Sequence, residues 1–134
     1  MTAAGRHDAT GRTTQLLRGV LDVCLLAVIA ERPRYGYELV EILAANGLPL
    51  VSEGSIYPLL ARLERAGRVE SYREASATGP PRKYYRLTPA GAEEMAVGRS
   101  TWHAFAAAVG QVLADPAGAP RRPRFRPDDI EEPS

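Results

Sequence analysis

Cysteine is almost missing from this chain: Cys24 is alone among 134 residues. No intramolecular disulfide is possible, and a reducing compartment fits. Histidine is nearly as scarce, with only His7 and His103, and neither stands in a metal-ligand spacing with Cys24, so no metal site is expected. Glycine-rich phosphate loops are absent, and serine, histidine and aspartate occur without a nucleophile-elbow context. The chain therefore reads as a non-enzyme without a cofactor. A long apolar run is lacking too. The longest, Val23 to Ala30, is too short to span a bilayer, and the polar residues before it do not resemble a secretory signal. A cytoplasmic protein with no membrane partner is expected.

Strong net charge is also missing. Seventeen basic residues against sixteen acidic ones leave a formal charge of +1, which by itself announces no nucleic-acid partner. The distribution is more informative. Asp128, Asp129, Glu131 and Glu132 crowd the last seven residues. From Glu53 to Arg86, seven bases stand against four acids, enough for a local positive face.

What is present suits one compact domain with appendages. Residues 1–14 lack apolar periodicity and read as a flexible leader. From Gln15 to Glu31, Leu17, Val20, Leu21, Cys24, Leu25 and Val28 keep helical spacing, while Leu16, Val23 and Leu26 make other faces apolar, so a helix buried on more than one side is expected. Pro33 ends it, and Arg34-Tyr35-Gly36 forms a corner before a second helix opens at Tyr37 and stops at Asn46-Gly47. A third helix runs to Ala66, with Ile56, Leu59, Leu60 and Leu63 inward. Pro58 predicts that it starts late, near Gly54 or Ser55, so that the missing N–H falls in the first turn. Val69–Arg73 and Lys83–Leu87 read as strands of a hairpin whose long tip, Ala75 to Pro81, continues neither strand. Thr88-Pro89 launches a long helix to about Ala114. On it Met95, Trp102 and Val109 recur every seven residues, with Gly98, Phe105 and Val112 three further on. This is a heptad seam that wants a partner helix. Residues 115–134 are rich in proline, arginine and acids and read as a disordered tail.

Helix, helix, turn, helix and a basic hairpin, in that order, make a winged helix-turn-helix over residues 15–88, followed by a dimerisation helix over 89–114: a mainly α fold with a small β-hairpin. A reader of the major groove needs hydrogen-bonding groups on the exposed N-terminal half of the third helix, and Ser52, Ser55 and Tyr57 supply hydroxyls there. Two readings stay open: contact with DNA, or helix capping by the serines and packing by the tyrosine. Arg62, one turn on, suits either a phosphate or a surface ion pair. In Arg82-Lys83-Tyr84-Tyr85-Arg86, alternation predicts one face packing tyrosines and the other offering cations to phosphates.

Several segments resemble the PadR transcriptional regulators over about Leu16 to Leu113. They are Leu17-Arg18-Gly19-Val20-Leu21-Asp22, Tyr35-Gly36-Tyr37-Glu38, Ser52-Glu53-Gly54-Ser55-Ile56-Tyr57-Pro58 with Leu63-Glu64-Arg65, and Gly79-Pro80-Pro81-Arg82-Lys83-Tyr84-Tyr85-Arg86-Leu87-Thr88, ending in Gly91. The resemblance implies a homodimer on an inverted-repeat operator of double-stranded DNA. It also implies repression as the usual mode and, in many members, release by a small aromatic or cationic compound. It adds Tyr37 and Pro58 to the DNA-facing residues. With one long helix after the wing, the chain is similar to the short branch, whose last helix swaps across the dimer through, here, Met95, Trp102, Phe105, Val109 and Val112. Trp102 matches a tryptophan that in some members stacks a flat ligand between subunits; plain seam packing is the other reading. Arg34-Tyr35 and the Arg-rich, then acidic tail depart from the family pattern. A winged helix serving only as a protein-interaction adaptor, without DNA binding, is the competing function.

Overall fold

The computed structural model describes residues 3–49 and 51–115, with side chains from Gly11 onward. Its elements are α1 (Ala3–Arg18), α2 (Leu21–Glu31), β1 (Arg34–Tyr35), α3 (Gly36–Ala45), α4 (Glu53–Arg65), β2 (Val69–Ser76), β3 (Gly79–Leu87) and α5 (Pro89–Leu113). Two compact units divide within α5, between Trp102 and His103. The tail expected from residue 115 lies, beyond Asp115, outside the described residues. Among the described residues no single helix is long and apolar enough to cross a membrane.

The first helix departs from expectation. The backbone of residues 3–18 is helical where a flexible leader was expected, and the helix expected over Gln15–Glu31 is broken at Gly19-Val20. No proline precedes Pro33, so nothing in the leader stops helical propagation toward the N-terminus. Gly19, like Gly5 and Gly11 within α1, is a poor helix-interior residue, and it is here that the helix breaks. Val20 N donates to Leu17 O at 2.9 Å, tightening the last turn, and α2 departs at 70° to the second half of α1.

The core gathers around α2. Leu25, Leu26, Ile29, Leu39, Ile56, Leu60 and Val69 are fully enclosed, each contributing about 1.5–3 kcal/mol by burial. They come from α2, α3, α4 and β2, so no element is stable without the others. Helices α3 and α4 stop by the same device. Gly47 (φ +95°) and Gly67 (φ +77°) take the left-handed conformation, and the following amides close back on the helix, Leu48 N to Leu43 O and Arg68 N to Leu63 O, both at 2.9 Å.

The sheet is antiparallel in the order β1-β3-β2. β1 covers β3 only at Tyr84 and Tyr85, while β2 follows it from Val69–Leu87 to Ser76–Gly79. The long tip expected from Ala75 to Pro81 is therefore a two-residue turn, Ala77-Thr78. Both prolines are strand residues because they fall where Ala75 alone faces them, at a register shift between Glu74 and Ser76. There β3 has a neighbour on one side only, and a bulge needs no ladder donor. Thr88 caps α5, its Oγ1 accepting from Gly91 N at 3.0 Å. A side chain at Gly91 would collide with the Arg68 carbonyl, so the start of α5 is seated on the α4–β2 link.

Candidate nucleic-acid interface

Ser52 is the N-cap of α4, so the helix starts at Glu53 rather than at Gly54 or Ser55, and Pro58 lies in its second turn, not its first. The carbonyl of Gly54 loses its intrahelical donor there, but both residues are exposed and water can serve it. A reciprocal cap sets the start. Ser52 N donates to Ser55 Oγ at 3.1 Å, the two hydroxyls lie 3.2 Å apart, and Ser55 Oγ donates to Ser52 O at 2.9 Å. Both hydroxyls are thus engaged in capping while remaining exposed.

Tyr57 projects from the same end. Its hydroxyl donates to Glu53 Oε1 at 3.2 Å, and its ring lies so close to Gly36 that a Cβ there would collide with it. Partial burial, then the Glu53 hydrogen bond and charge, push its pKa up, so the phenol is neutral. Tyr37, one residue after Gly36, is half exposed. The start of α3 and the exposed face of α4 therefore form one surface, bearing Tyr37, Ser52, Ser55, Tyr57, Pro58 and Arg62. Arg62, Arg65 and Arg73 make no ion pair among the described residues.

The wing does not divide into a tyrosine face and a cation face. Strand alternation puts Val69, Ser71, Arg73, Lys83, Tyr85 and Leu87 on the side toward the core, where Val69 and Tyr85 are buried. The opposite side carries Tyr72, Tyr84, Arg82 and Arg86. There Tyr84 stacks on Tyr72 at 5.8 Å and meets Tyr35 edge-on at 5.4 Å. Arg82 lies 4.6 Å over Tyr35, and Arg86 lies 5.1 Å over Tyr72. Arg82 keeps its guanidinium edge free for a phosphate while its face is held. Lys83, on the core-facing side, points to α4 instead, 3.9 Å from Glu64 Oε1. Arg82 and Lys83 are thus on opposite sides of the hairpin, a consequence of being adjacent in a strand.

Arg34 had no assigned role in the sequence, and only its departure from the family pattern marked it. It is buried at 8% exposure, paired with Glu31 at 2.8 Å and Glu38 at 3.4 Å. It fastens the end of α2 to the start of α3, the helix that carries Tyr37.

On α5, Met95 packs against its own core, and a Cβ on Gly98 would come within 2.5 Å of Val23 Cγ2. The first part of the seam thus lies against α2 of the same chain, with Met95 only partly buried there. Phe105, Val109 and Val112 are exposed. An apolar groove of about 370 Å³ is lined by α1, α2 and α5, with Leu16, Val20, Val23, Cys24 and Trp102 on its walls and Arg99 their one charged group among the described residues. Burial, then the Asp22 charge, push the Cys24 thiol up, so it stays protonated.

Known proteins agree with this architecture. A PadR-like transcriptional regulator of Bacillus cereus is 40% identical, with a TM-score of 0.69 over 75% of this chain and 98% of its own. A PadR family regulator of Eggerthella lenta is 34% identical, with a TM-score of 0.73 over 84% of this chain and 98% of its own. A Lysinibacillus sphaericus protein without an assigned function is 35% identical over 80 residues, 58% of this chain and 73% of its own. The PadR-like transcriptional regulator family profile matches residues 25–97. With its winged helix, its exposed α4 and its long last helix, the chain belongs to the PadR-like family, whose members are DNA-binding transcriptional regulators and not enzymes.

Proposed function

We propose that this chain acts in the cytoplasm as a homodimer on an inverted-repeat operator, with α4 in the major groove and the β2–β3 wing along the phosphate backbone. The observation that carries this is the exposed N-terminal face of α4 with Ser52, Ser55 and Tyr57, followed by Arg62 and Arg65 in the last turn of the same helix and Arg73 on β2, exposed and in no ion pair among the described residues. Hydroxyls on the helix and cations around it are what base reading and phosphate anchoring require. Repression follows from the resemblance rather than from the geometry. A small ligand near Trp102 is supported by the apolar groove. Because Arg99 is its one charged wall residue among the described residues, neutral or anionic planar compounds suit it better than cationic ones.

Binding of the purified protein to the promoter of its own gene, followed against salt concentration, tests this reading. Arg82→Ala should weaken binding to all duplexes alike and lower the log–log salt slope by about 0.9 per subunit. An unchanged slope removes the wing from the interface, and a mutant protein that loses only operator binding makes Arg82 a base reader instead. Titration of the same samples with planar aromatic compounds tests the ligand, since Trp102 is the only tryptophan. If neither the emission nor the operator affinity responds, Trp102 serves packing alone.

A further inference from the structure

The carboxylate of Glu64 sits where α4 meets the wing, and two side chains of the hairpin converge on it. Ser71 Oγ on β2 donates to Oε2 at 2.6 Å, and Lys83 Nζ on β3 lies 3.9 Å from Oε1. The same ammonium stands 5.6 Å over the ring of the buried Tyr85. The other acid–base pair of the hairpin, Glu70 with Arg86, is on the opposite side of the sheet. Among the described residues Arg62, Arg65 and Arg73 are in no ion pair, so of the cations of α4 and the core-facing side of the wing Lys83 alone is held there by an acid.

We propose that Glu64 is a positioning residue that holds Lys83 off the phosphate backbone and so lowers the affinity of the chain for DNA, most of all for operator, where the pair must break when α4 is seated in its groove. This rests on the DNA-binding reading above. The strength of the pair suits the task. An ion pair between partly exposed groups shifts an equilibrium by a factor of about 1.5 to 5, and the Ser71 hydrogen bond already fixes the carboxylate in place. That is enough to keep the ammonium at home in loosely docked complexes, where phosphates stay hydrated and contacts are brief. It is too little to resist a phosphate held against the wing in a seated complex, where a charge-assisted hydrogen bond is on offer. Lys83 thus counts toward operator binding and not toward binding of arbitrary sequence, although non-specific affinity is otherwise set by the sum of available cations.

Two short duplexes test this: one recovered from a random pool by repeated selection on the parent protein, and one of the same composition scrambled. Glu64→Gln keeps an oxygen acceptor for Ser71 and removes the charge. Its affinity for the selected duplex should rise about two- to fivefold per subunit at low salt, and its affinity for the scrambled duplex by a smaller factor, with a slope there steeper by about 0.9 per subunit. In a Lys83→Gln background the same substitution should have no such effect. Ser71→Ala, which unhooks the carboxylate from β2 but keeps its charge, should move the selected-duplex affinity in the same direction by less, and it serves if Glu64→Gln folds poorly. A gain that persists without Lys83 overturns the proposal, because removing any negative charge would then explain it. So does a Glu64→Gln protein that binds the selected duplex as the parent does. A parent protein that selects no duplex at all overturns the DNA-binding reading itself, and this proposal with it.

Discussion

Gly36 and Tyr57 meet through a missing methyl group. The glycine opens α3, the tyrosine projects from the exposed face of α4, and the ring occupies the space a Cβ would need. Gly36 has no unusual backbone angle, so a side chain there is excluded by the neighbour and not by the backbone. This fixes the sign of a substitution. In an open helical position alanine is favoured over glycine by up to about 1 kcal/mol, whereas here Gly36→Ala must push the partly exposed end of the Tyr57 ring aside, which should destabilise by about 1 kcal/mol and move Tyr57 from its place on the exposed face of α4. Adding Tyr57→Ala should restore most of the lost stability in chemical denaturation. A Gly36→Ala protein more stable than the parent would show that the ring is not held there.

Between elements, the seam of α4 and β3 carries two phenols with raised pKa values. Tyr85 is raised by burial and then by Glu64, partly opposed by Arg73, and Tyr57 by burial and then by Glu53. Both groups hold their protons more tightly folded than unfolded. Their contribution to stability is therefore complete below the ordinary value of 10.0 and is lost as pH rises through the folded values. Stability measured by urea titration should be level up to about pH 9 and fall beyond it, less steeply in Tyr85→Phe. A Tyr85→Phe profile identical to the parent's would remove Tyr85 from this linkage.

The order of these elements was legible because it rests on local signals: the apolar spacing of α4, the Asn46-Gly47 and Gly67 stops, and the Thr88-Pro89 start. Other features were not, among them the break that splits the first helix at Gly19-Val20 and the short strand β1. The length of the hairpin depended on a register shift that lets Pro80 and Pro81 stay in a strand. The start of α4 depended on Ser52 and Ser55 capping each other, which outweighs the preference of Pro58 for a first turn. The two sides of the wing were assigned by residue type, although strand alternation alone separates Lys83 from Arg82. Glu64 itself stood in the sequence without a role, since its partners lie on two strands further along the chain.

At the scale of the whole molecule, α5 carries an apolar stripe whose uses change along its length. Met95 and Gly98 lie against their own chain, while Phe105, Val109 and Val112 are exposed. Phe105 is the largest of these and sits beyond that part, so Phe105→Asp should leave the fold intact and yield monomers in sedimentation. Because linked half-sites reinforce each other, most of the operator affinity should go with the dimer. A parent protein that sediments as a monomer at micromolar concentration would defeat this.

The two-residue strand β1 pairs with no strand but β3, at Tyr84 and Tyr85, so its partner is made only after most of the domain. During synthesis the apolar faces of α2, α3 and α4 leave the ribosome before the strand that completes their core, and they depend on β3 to close it. Phe105, Val109 and Val112 come later still. Vectorial emergence thus lets each winged domain close before Phe105, Val109 and Val112, the contact of the homodimer proposed above, leave the ribosome. In that homodimer, neighbouring chains on one messenger would be kept from pairing through α5 while their cores are still open.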